Sequence, residues 1–135
     1  MSVVIYTDGG ARGNPGPAGA GVIIRKDGRV IAEVAQFLGA HQTNNWAEYE
    51  AVVVALGKML ELGLTGSDIR FYLDSKLVVE QLMGNWKIKE PTLKPQVAKV
   101  RDLLKDFGVV TFAYVPREKN KKADKLVNEA IDSQA

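Results

Sequence analysis

Two aspartates stand where short strands are predicted to end. Asp8 follows Ile5–Thr7 and Asp74 follows Phe71–Leu73, two short runs rich in β-forming residues. Side chains alternate along a strand, so each aspartate shares a face with the tyrosine two residues before it. If the strands are parallel neighbours, both carboxylates lie at the carboxyl edge of one sheet, where open α/β sheets bind ligands. The pair is therefore a candidate site for chemistry.

Two further acids lie on predicted helices. Glu48 shares a helical stripe with Val52 and Met59, and Asp124 shares one with Val127. Both carboxylates are predicted to lean toward the core, and no Lys, Arg or His on these stripes would neutralise them. Burying an unpaired carboxylate is costly in free energy. A divalent cation held by oxygen ligands, Mg²⁺ or Mn²⁺, would remove that cost.

Each acid also has a simpler interpretation. An aspartate at the end of a strand often forms a turn, and an acid near a helix N-terminus interacts favourably with the helix dipole. Taken singly, each of the four residues fits such a structural role. The metal-site hypothesis therefore depends on all four acids converging at one edge of the predicted sheet.

The elements that must position these acids follow from hydrophobic periodicity. Alternating or β-branched runs predict five strands: Val3–Thr7, Gly21–Arg25, 30–35, Ile69–Leu73 and Val109–Val115. Apolar residues at three- and four-residue steps predict four helices: Thr43–Leu62, Ser75–Met83, 97–107 and Asn120–Ile131. Glycine and proline predict a turn over Gly9–Gly21 and irregular chain over Asn85–Pro95. This order predicts an α/β fold with a mixed sheet, in which strands 1, 4 and 5 are parallel.

Composition and charge fit one domain over residues 1–135. There is no cysteine, which excludes disulfides and is compatible with a reducing, cytoplasmic location. The first ten residues do not resemble a signal peptide, and the longest apolar stretch, Ala51–Leu56, is too short to cross a membrane. The net charge of +2 does not by itself indicate a polyanionic partner. No exposed apolar helix face requires a protein partner, so we expect a monomer.

Two other kinds of site fail on their sequence context. Gly16–Gly21 lacks the Lys-Ser/Thr ending of a phosphate-binding loop and leads into a strand rather than a helix. The single histidine, His41, has no serine or cysteine partner suggested by the sequence, so a catalytic triad is not predicted. The four acids remain the best candidates for chemistry.

Four motifs, in order, resemble type 1 ribonuclease H. They are Tyr6–Gly10 with Gly13–Pro17, Thr43-Asn44-Asn45-x-x-Glu48, Asp74-Ser75 and Asn120-x-x-x-Asp124. The similarity runs nearly end to end, and each motif contains one of the acids. It implies a ribonuclease H-like fold, a five-stranded mixed sheet of order 3-2-1-4-5 flanked by helices. It also implies an endonuclease that hydrolyses the RNA strand of RNA–DNA hybrids and leaves 3′-hydroxyl and 5′-phosphate ends.

The same resemblance implies a role for each acid. Two divalent ions, Mg²⁺ or Mn²⁺, would flank the scissile phosphate. Asp8 would bridge both ions, and Asp124 would hold the ion that activates water. Glu48 and Asp74 would hold the ion near the leaving oxygen. No protein nucleophile is then required.

Substrate contacts are implied close to the acids. Asn14, Thr43 and Asn45 would contact nucleotides or phosphate, and the backbone around Gly9 and Gly10 would bond to RNA 2′-hydroxyl groups. Helix capping is the alternative role for Asn45, and turn formation is the alternative for the glycine-rich segment.

Two departures from the family pattern bear on how the hybrid is held. Many members have a histidine in the loop before the last acid, whereas Val115–Asn120 has none. Arg117 is the candidate to contact phosphate in its place. Some relatives also have an extra basic helix that grips the hybrid, for which Asn85–Pro95 is too short. Trp86 or the C-terminal lysines would then have to contribute, although packing is the alternative role of Trp86. These lysines are Lys119, Lys121, Lys122 and Lys125.

Two other functions are compatible with this pattern. One is a nuclease of related fold that acts on DNA or double-stranded RNA. The other is a non-catalytic nucleic-acid-binding module, against which the presence of all four acids argues.

Overall fold

The chain forms a sheet flanked by helices, and the structure, a computed structural model, describes residues 2–134. The strands are β1 (Ser2–Ala11), β2 (Gly16–Lys26), β3 (Arg29–Gln42), β4 (Asp68–Leu73) and β5 (Val110–Tyr114). The α-helices are α1 (Asn44–Glu61), α2 (Lys76–Leu82), α3 (Lys94–Leu104) and α4 (Lys121–Asp132). Two short 3₁₀ helices, Pro91–Leu93 and Arg117–Lys119, precede α3 and α4. No helix within residues 2–134 combines the length and apolar character needed to span a membrane.

The sheet has the strand order β3-β2-β1-β4-β5. β2 runs antiparallel to both β1 and β3, whereas β4 runs parallel to both β1 and β5. The predicted mixed sheet, its order and its parallel strands are therefore confirmed. Because β1 and β4 are parallel neighbours, their carboxyl ends meet at one edge of the sheet.

The first three strands are longer than predicted. β1 continues to Ala11 and β2 begins at Gly16, so the turn predicted over Gly9–Gly21 is wrong for most of that segment. Gly9 is paired with β2 rather than placed in a turn, and β3 continues to Gln42. Glycine inside a strand often marks a close approach of another backbone, and that is its use here.

The segment predicted to be irregular, Asn85–Pro95, contains the start of a helix. A 3₁₀ turn over Pro91–Leu93 leads directly into α3, and Pro95 lies in the first turn of α3. A proline is tolerated there, because the first N–H groups of a helix have no partner within the helix. These prolines therefore begin a helix rather than interrupt one.

The two faces of the sheet receive different helices. On one face, α1 and α3 pack over a cluster that includes Ile5, Val22, Leu56, Phe71 and Val97. On the other face, α4 lies over β2 with its apolar side turned inward. The buried residues of α4 are those predicted from its periodicity: Ala123, Leu126, Val127, Ala130 and Ile131.

Three glycines let the helices approach the strands closely. A Cβ atom at Gly21 would overlap the backbone carbonyl of Ala123, so any side chain there would push α4 away from β2. A Cβ atom at Gly9 would overlap the backbone carbonyl of Ala47 in α1 on the opposite face. At Gly19 it would lie 2.8 Å from the carbonyl oxygen of α4 residue Val127. The helices that contain Glu48 and Asp124 can therefore pack this closely on the strands only because these strand positions are glycine.

Candidate active site

Parallel pairing of β1 and β4 brings Asp8 next to Asp74. Thr7 is paired with Leu73, so the residues that follow them are neighbours at the carboxyl edge. Tyr6 and Tyr72 each lie two residues before one of these acids and on the same face of the sheet. Their rings stack with centroids 5.2 Å apart. Asp8 lies inside β1 whereas Asp74 directly follows β4, so only the latter ends its strand as predicted.

Glu48 reaches the same place from α1. Thr43 caps that helix by accepting a hydrogen bond from the Trp46 N–H at 3.2 Å, so Glu48 falls in the second turn. The close contact between Gly9 and Ala47 fixes this turn against β1. The Gly9 backbone N–H donates a hydrogen bond to the Glu48 carboxylate. A larger residue at position 9 would separate Glu48 from the strand acids.

Asp8, Glu48 and Asp74 form a group of carboxylates with one oxygen from each within 4.8 Å of the others. Asp8 and Glu48 are each only 7% exposed. The Oε2 atom of Glu48 is buried and has no hydrogen-bond partner among residues 2–134. An oxygen-only group with an unsatisfied buried carboxylate atom fits a hard divalent cation such as Mg²⁺ or Mn²⁺.

The electrostatics of this group favour a bound cation. Burial, followed by the charge of Asp74, raises the pKa of Asp8 from 3.8 to about 7. Burial, followed by the charge of Asp8, raises the pKa of Glu48 well above its ordinary value. Burial also raises the pKa of Asp74, although a hydrogen bond from Asn120 and the charge of Arg117 act in the opposite direction. The charged forms are therefore disfavoured until a positive group is present.

Asp124 lies at the rim of the group rather than inside it. It lines the same cleft as the other three acids, and its charge contributes to the raised pKa of Asp8. The prediction that its side chain leans toward the core was wrong, because Asp124 is exposed. Ala123 and Val127 are buried on the side of α4 that packs on the sheet, and position 124 is rotated about 100° from position 123 around the helix.

A cleft of about 430 Å³ surrounds the four acids. Of the predicted substrate-binding residues, it is lined by Gly9, Gly10, Asn45 and Arg117. Arg117 is exposed and lies close enough to Asp74 to lower the pKa of that carboxyl. A phosphate entering the cleft would therefore meet Arg117 beside the acids, whereas the other arginine of the lining, Arg12, is paired with Asp132 at 2.6 Å.

Asn14 and Thr43 lie outside the cleft lining, as the described residues define it. The Oδ1 atom of Asn14 accepts a hydrogen bond from the Asn44 N–H at 2.9 Å, and Thr43 is the N-cap of α1. The Oδ1 atom of Asn44 accepts one from the Ala11 N–H at 2.8 Å. In this structure Asn14 and Thr43 fix the start of α1 beside the acids, which is a positioning role.

Asn120 contacts the acids of the site, although no role was predicted for it from the sequence. It is 2% exposed, and its Nδ2 atom donates to the Thr7 carbonyl oxygen at 2.8 Å and to Asp74 Oδ2 at 3.1 Å. Its place at the start of a predicted helix contains no signal for these contacts. They join residues 113 and 46 positions apart in the chain.

Comparison with known proteins decides the family. A family profile described as reverse transcriptase-like matches residues 6–130. LC11-RNase H1, isolated from compost and crystallised with an RNA/DNA hybrid, is 45% identical with a TM-score of 0.93, and the match covers 98% of each chain. The chain belongs to the ribonuclease H family. RNase H1 of Halobacterium salinarum is 39% identical with a TM-score of 0.92, covering 98% of this chain and 99% of that one.

Some ribonuclease H family relatives are much longer than this chain. A bifunctional protein of Mycobacterium tuberculosis is 42% identical over 100% of this chain, which spans only 37% of that relative. The family membership predicted from the four motifs is confirmed, and so is the ribonuclease H-like fold.

Proposed function

We propose that this chain is a metal-dependent endonuclease that hydrolyses the RNA strand of RNA–DNA hybrids. The products would have 3′-hydroxyl and 5′-phosphate ends. The observation that supports this most directly is the group formed by Asp8, Glu48 and Asp74, in which one oxygen from each carboxylate lies within 4.8 Å of the others. The buried Glu48 Oε2 has no hydrogen-bond partner among residues 2–134. An RNA–DNA hybrid is the proposed substrate because LC11-RNase H1, a structural neighbour with a TM-score of 0.93, was crystallised with an RNA/DNA hybrid.

The residues that would hold two Mg²⁺ or Mn²⁺ ions are Asp8, Glu48, Asp74 and Asp124. When bound, such ions stabilise charge on the attacking and leaving oxygens and activate water. Asp8 is the central ligand in this proposal, because burial and the charge of Asp74 raise its pKa to about 7, and a bound cation would stabilise its charged form. Asp124 is exposed at the rim, so it would complete a site whose other ligands lie deeper.

Other groups of the chain would hold and orient the substrate. Arg117, at the mouth of the cleft, is placed to attract a phosphate before it reaches the acids. Gly10 and Asn45 line the same cleft and would contact the RNA strand, whose 2′-hydroxyl groups distinguish it from DNA. Gly9 leaves no room for a side chain, so its backbone lies directly against α1.

The decisive experiment incubates labelled hybrid, double-stranded RNA and duplex DNA side by side with the protein. We expect internal cleavage of the RNA strand of the hybrid with Mg²⁺ or Mn²⁺, and none with excess chelator. Preferred cleavage of DNA or double-stranded RNA would instead identify a nuclease of related fold. Tight binding of the hybrid without cleavage in either metal would identify a non-catalytic binding module.

Three further expectations belong to this proposal. We propose that residues 1–135 act as a single ribonuclease H domain, whether alone or within a longer protein like the mycobacterial relatives. We propose a monomer in the cytoplasm, a location compatible with the absence of cysteine. Size-exclusion chromatography with light scattering tests the oligomeric state, and cell fractionation tests the location.

A further inference from the structure

Asn120 occupies the first position before α4 but does not cap that helix. Asparagine at this position usually accepts a hydrogen bond from the first turn, which stabilises a helix by about 1 kcal/mol. In the described chain the Asn120 side chain makes no such bond. Its amide instead donates to Thr7 and Asp74, so the residue forgoes the stabilising contact that its position offers.

The orientation of this amide has a second cost. The Oδ1 atom of Asn120 is buried and has no hydrogen-bond partner among residues 2–134. Both of its observed partners are acceptors, a backbone carbonyl and a carboxylate, and only the NH₂ group can donate to them. The side chain is therefore oriented so that its NH₂ group donates to β1 and Asp74, while its own oxygen accepts no hydrogen bond from the described residues.

These contacts connect the elements that hold three of the acids. Thr7 directly precedes Asp8 in β1, Asp74 follows β4, and the Asp124 N–H donates to the Asn120 carbonyl oxygen at 3.1 Å. One buried residue thus fixes the strand acids and the start of α4 relative to one another. The hydrogen bond to Asp74 Oδ2 therefore restricts the orientation of a carboxylate that belongs to the group of acids.

We propose that Asn120 is a positioning residue that orients Asp74 and the start of α4 so that the carboxylate group can bind a divalent cation. The inference rests on the proposed metal-dependent function. Groups that orient metal ligands typically contribute 10- to 100-fold to metal affinity or activity. Asn120 acts through Asp74 and makes no contact with substrate in this role.

Gln96 in α3 provides a matched control. It is 1% exposed, and its Nε2 atom likewise donates to a backbone carbonyl, that of Trp46 at 3.3 Å, and to a carboxylate, Glu50 Oε1 at 3.0 Å. It therefore has the same burial and the same donor pattern, but its carboxylate lies outside the group of acids. Loss of either amide should lower stability, whereas only loss of Asn120 should change metal binding.

The test titrates Mn²⁺ alone into chelator-treated wild type, Asn120→Ala, Asn120→Ser and Gln96→Ala by isothermal calorimetry. Serine can cap α4 but cannot reach both partners of Asn120, so this variant keeps the helix start while losing the hydrogen bonds. We expect Asn120→Ala and Asn120→Ser to bind Mn²⁺ about 10- to 100-fold more weakly. Hybrid cleavage should show a comparable fall in kcat with little change in KM. Gln96→Ala should match wild type in both measurements.

The outcomes separate this inference from the proposed function. Wild-type protein that binds no Mn²⁺ and cleaves no hybrid would contradict both the proposed function and the role of Asn120. Wild-type affinity in a folded Asn120→Ser variant would overturn the inference alone. An equal loss of affinity in Gln96→Ala would also overturn it, because the effect would then follow general destabilisation. Circular dichroism of each variant establishes that it is folded.

Discussion

Two glutamates on one turn of α1 have opposite environments. Glu48 is 7% exposed, lies beside Asp8 and Asp74, and has a buried oxygen with no partner in the described chain. Glu50 has a side chain 18% exposed and accepts hydrogen bonds from Gln96 at 3.0 Å and from Lys99 at 3.3 Å. The negative charge of Glu50 is thus balanced by a lysine, whereas the charges that act on Glu48 on the same helix are those of acids.

The difference teaches how a structural acid is distinguished from a ligand. Burial alone does not separate the two, because both glutamates are largely removed from water. What separates them is the presence of a positive partner within the protein. Lys99 supplies the charge for Glu50 and also lies over the Trp46 ring, 5.9 Å from its centroid. The nearest charged groups to Glu48 are acids, which leaves its compensation to a cation from solution.

The largest expected effect is that of Asp8→Asn on cleavage. Removing the central carboxylate should lower kcat at least about a thousandfold, which corresponds to about 4 kcal/mol of lost transition-state stabilisation. The same change relieves repulsion among the acids, so it should raise the free energy of unfolding in metal-free buffer. Labelled hybrid measures the first effect and urea unfolding with chelator measures the second. Wild-type cleavage by this variant would refute the four-acid mechanism.

Next in size is the pH dependence of stability without metal. The pKa of Asp8 is about 7 in the folded chain and near 3.8 otherwise, so the folded state binds more protons between these values. Stability should therefore fall as pH rises across this window, by up to about 1.4 kcal/mol per pH unit for one proton. The stabilisation is complete below the ordinary carboxyl pKa and is lost as pH rises through about 7.

This pH effect is measured by urea unfolding at several pH values between 5 and 8. Asp8→Asn serves as the control, because it removes one of the titrating acids and should make the profile shallower, while Glu48 and Asp74 still titrate. A wild-type profile that rises with pH over this range would contradict the electrostatic account. Saturating Mn²⁺ should also reduce the slope, since a bound cation favours the charged carboxylates.

A smaller effect is expected at Gly9. A Cβ atom there would overlap the Ala47 carbonyl, so Gly9→Ala must displace α1, at a cost of about 1–3 kcal/mol typical of overpacking. Glu48 would move with the helix, and cleavage should fall. Gly57→Ala in the same helix is the control, because a Cβ atom there meets nothing within 4 Å. It should stabilise the helix by about 0.5–1 kcal/mol and leave cleavage unchanged. Equal thermal stability of the two variants would contradict the close-approach argument.

The smallest effect should come from the compensated glutamate. Glu50→Gln weakens the ion pair with Lys99, whose side chain is 50% exposed, and should lower stability by no more than about 1 kcal/mol. Glu48→Gln should have the opposite sign in metal-free buffer, because it removes a charge that has no positive partner. Thermal unfolding with chelator compares the two variants. The same sign for both would erase the distinction between the two regions.

The fold and the acid group were predictable from sequence to different extents. The mixed sheet and the meeting of Asp8 with Asp74 follow from local periodicity and parallel pairing, whereas the strand order was implied by the motif resemblance. The exposure of Asp124 was not predicted, because helical periodicity shows which side of a helix is apolar but not how far around the helix the buried surface extends. The role of Asn120 could not be predicted either, since it depends on contacts with Thr7 and Asp74 that exist only after the sheet has formed.

The glycines also marked a limit of sequence reasoning. Those of β1 and β2 were interpreted as turn formers, whereas Gly9 and Gly21 create space for the backbones of α1 and α4. A glycine in isolation is compatible with either role, and only the partner element distinguishes them. The motif resemblance nevertheless identified the family correctly, since it compares the order of motifs rather than the reason for each residue.

The seating of α4 on Gly21 has a consequence for how homologous sequences are judged. A methyl group at that position would lift the helix and withdraw Asp124 from its companions, although every acid would still be present in the sequence. A family member could thus lose its activity through a change at a residue that never meets the nucleic acid. An inventory of carboxylates is therefore an incomplete guide to which homologues are active, and the small residues beneath the helices belong in the same inspection.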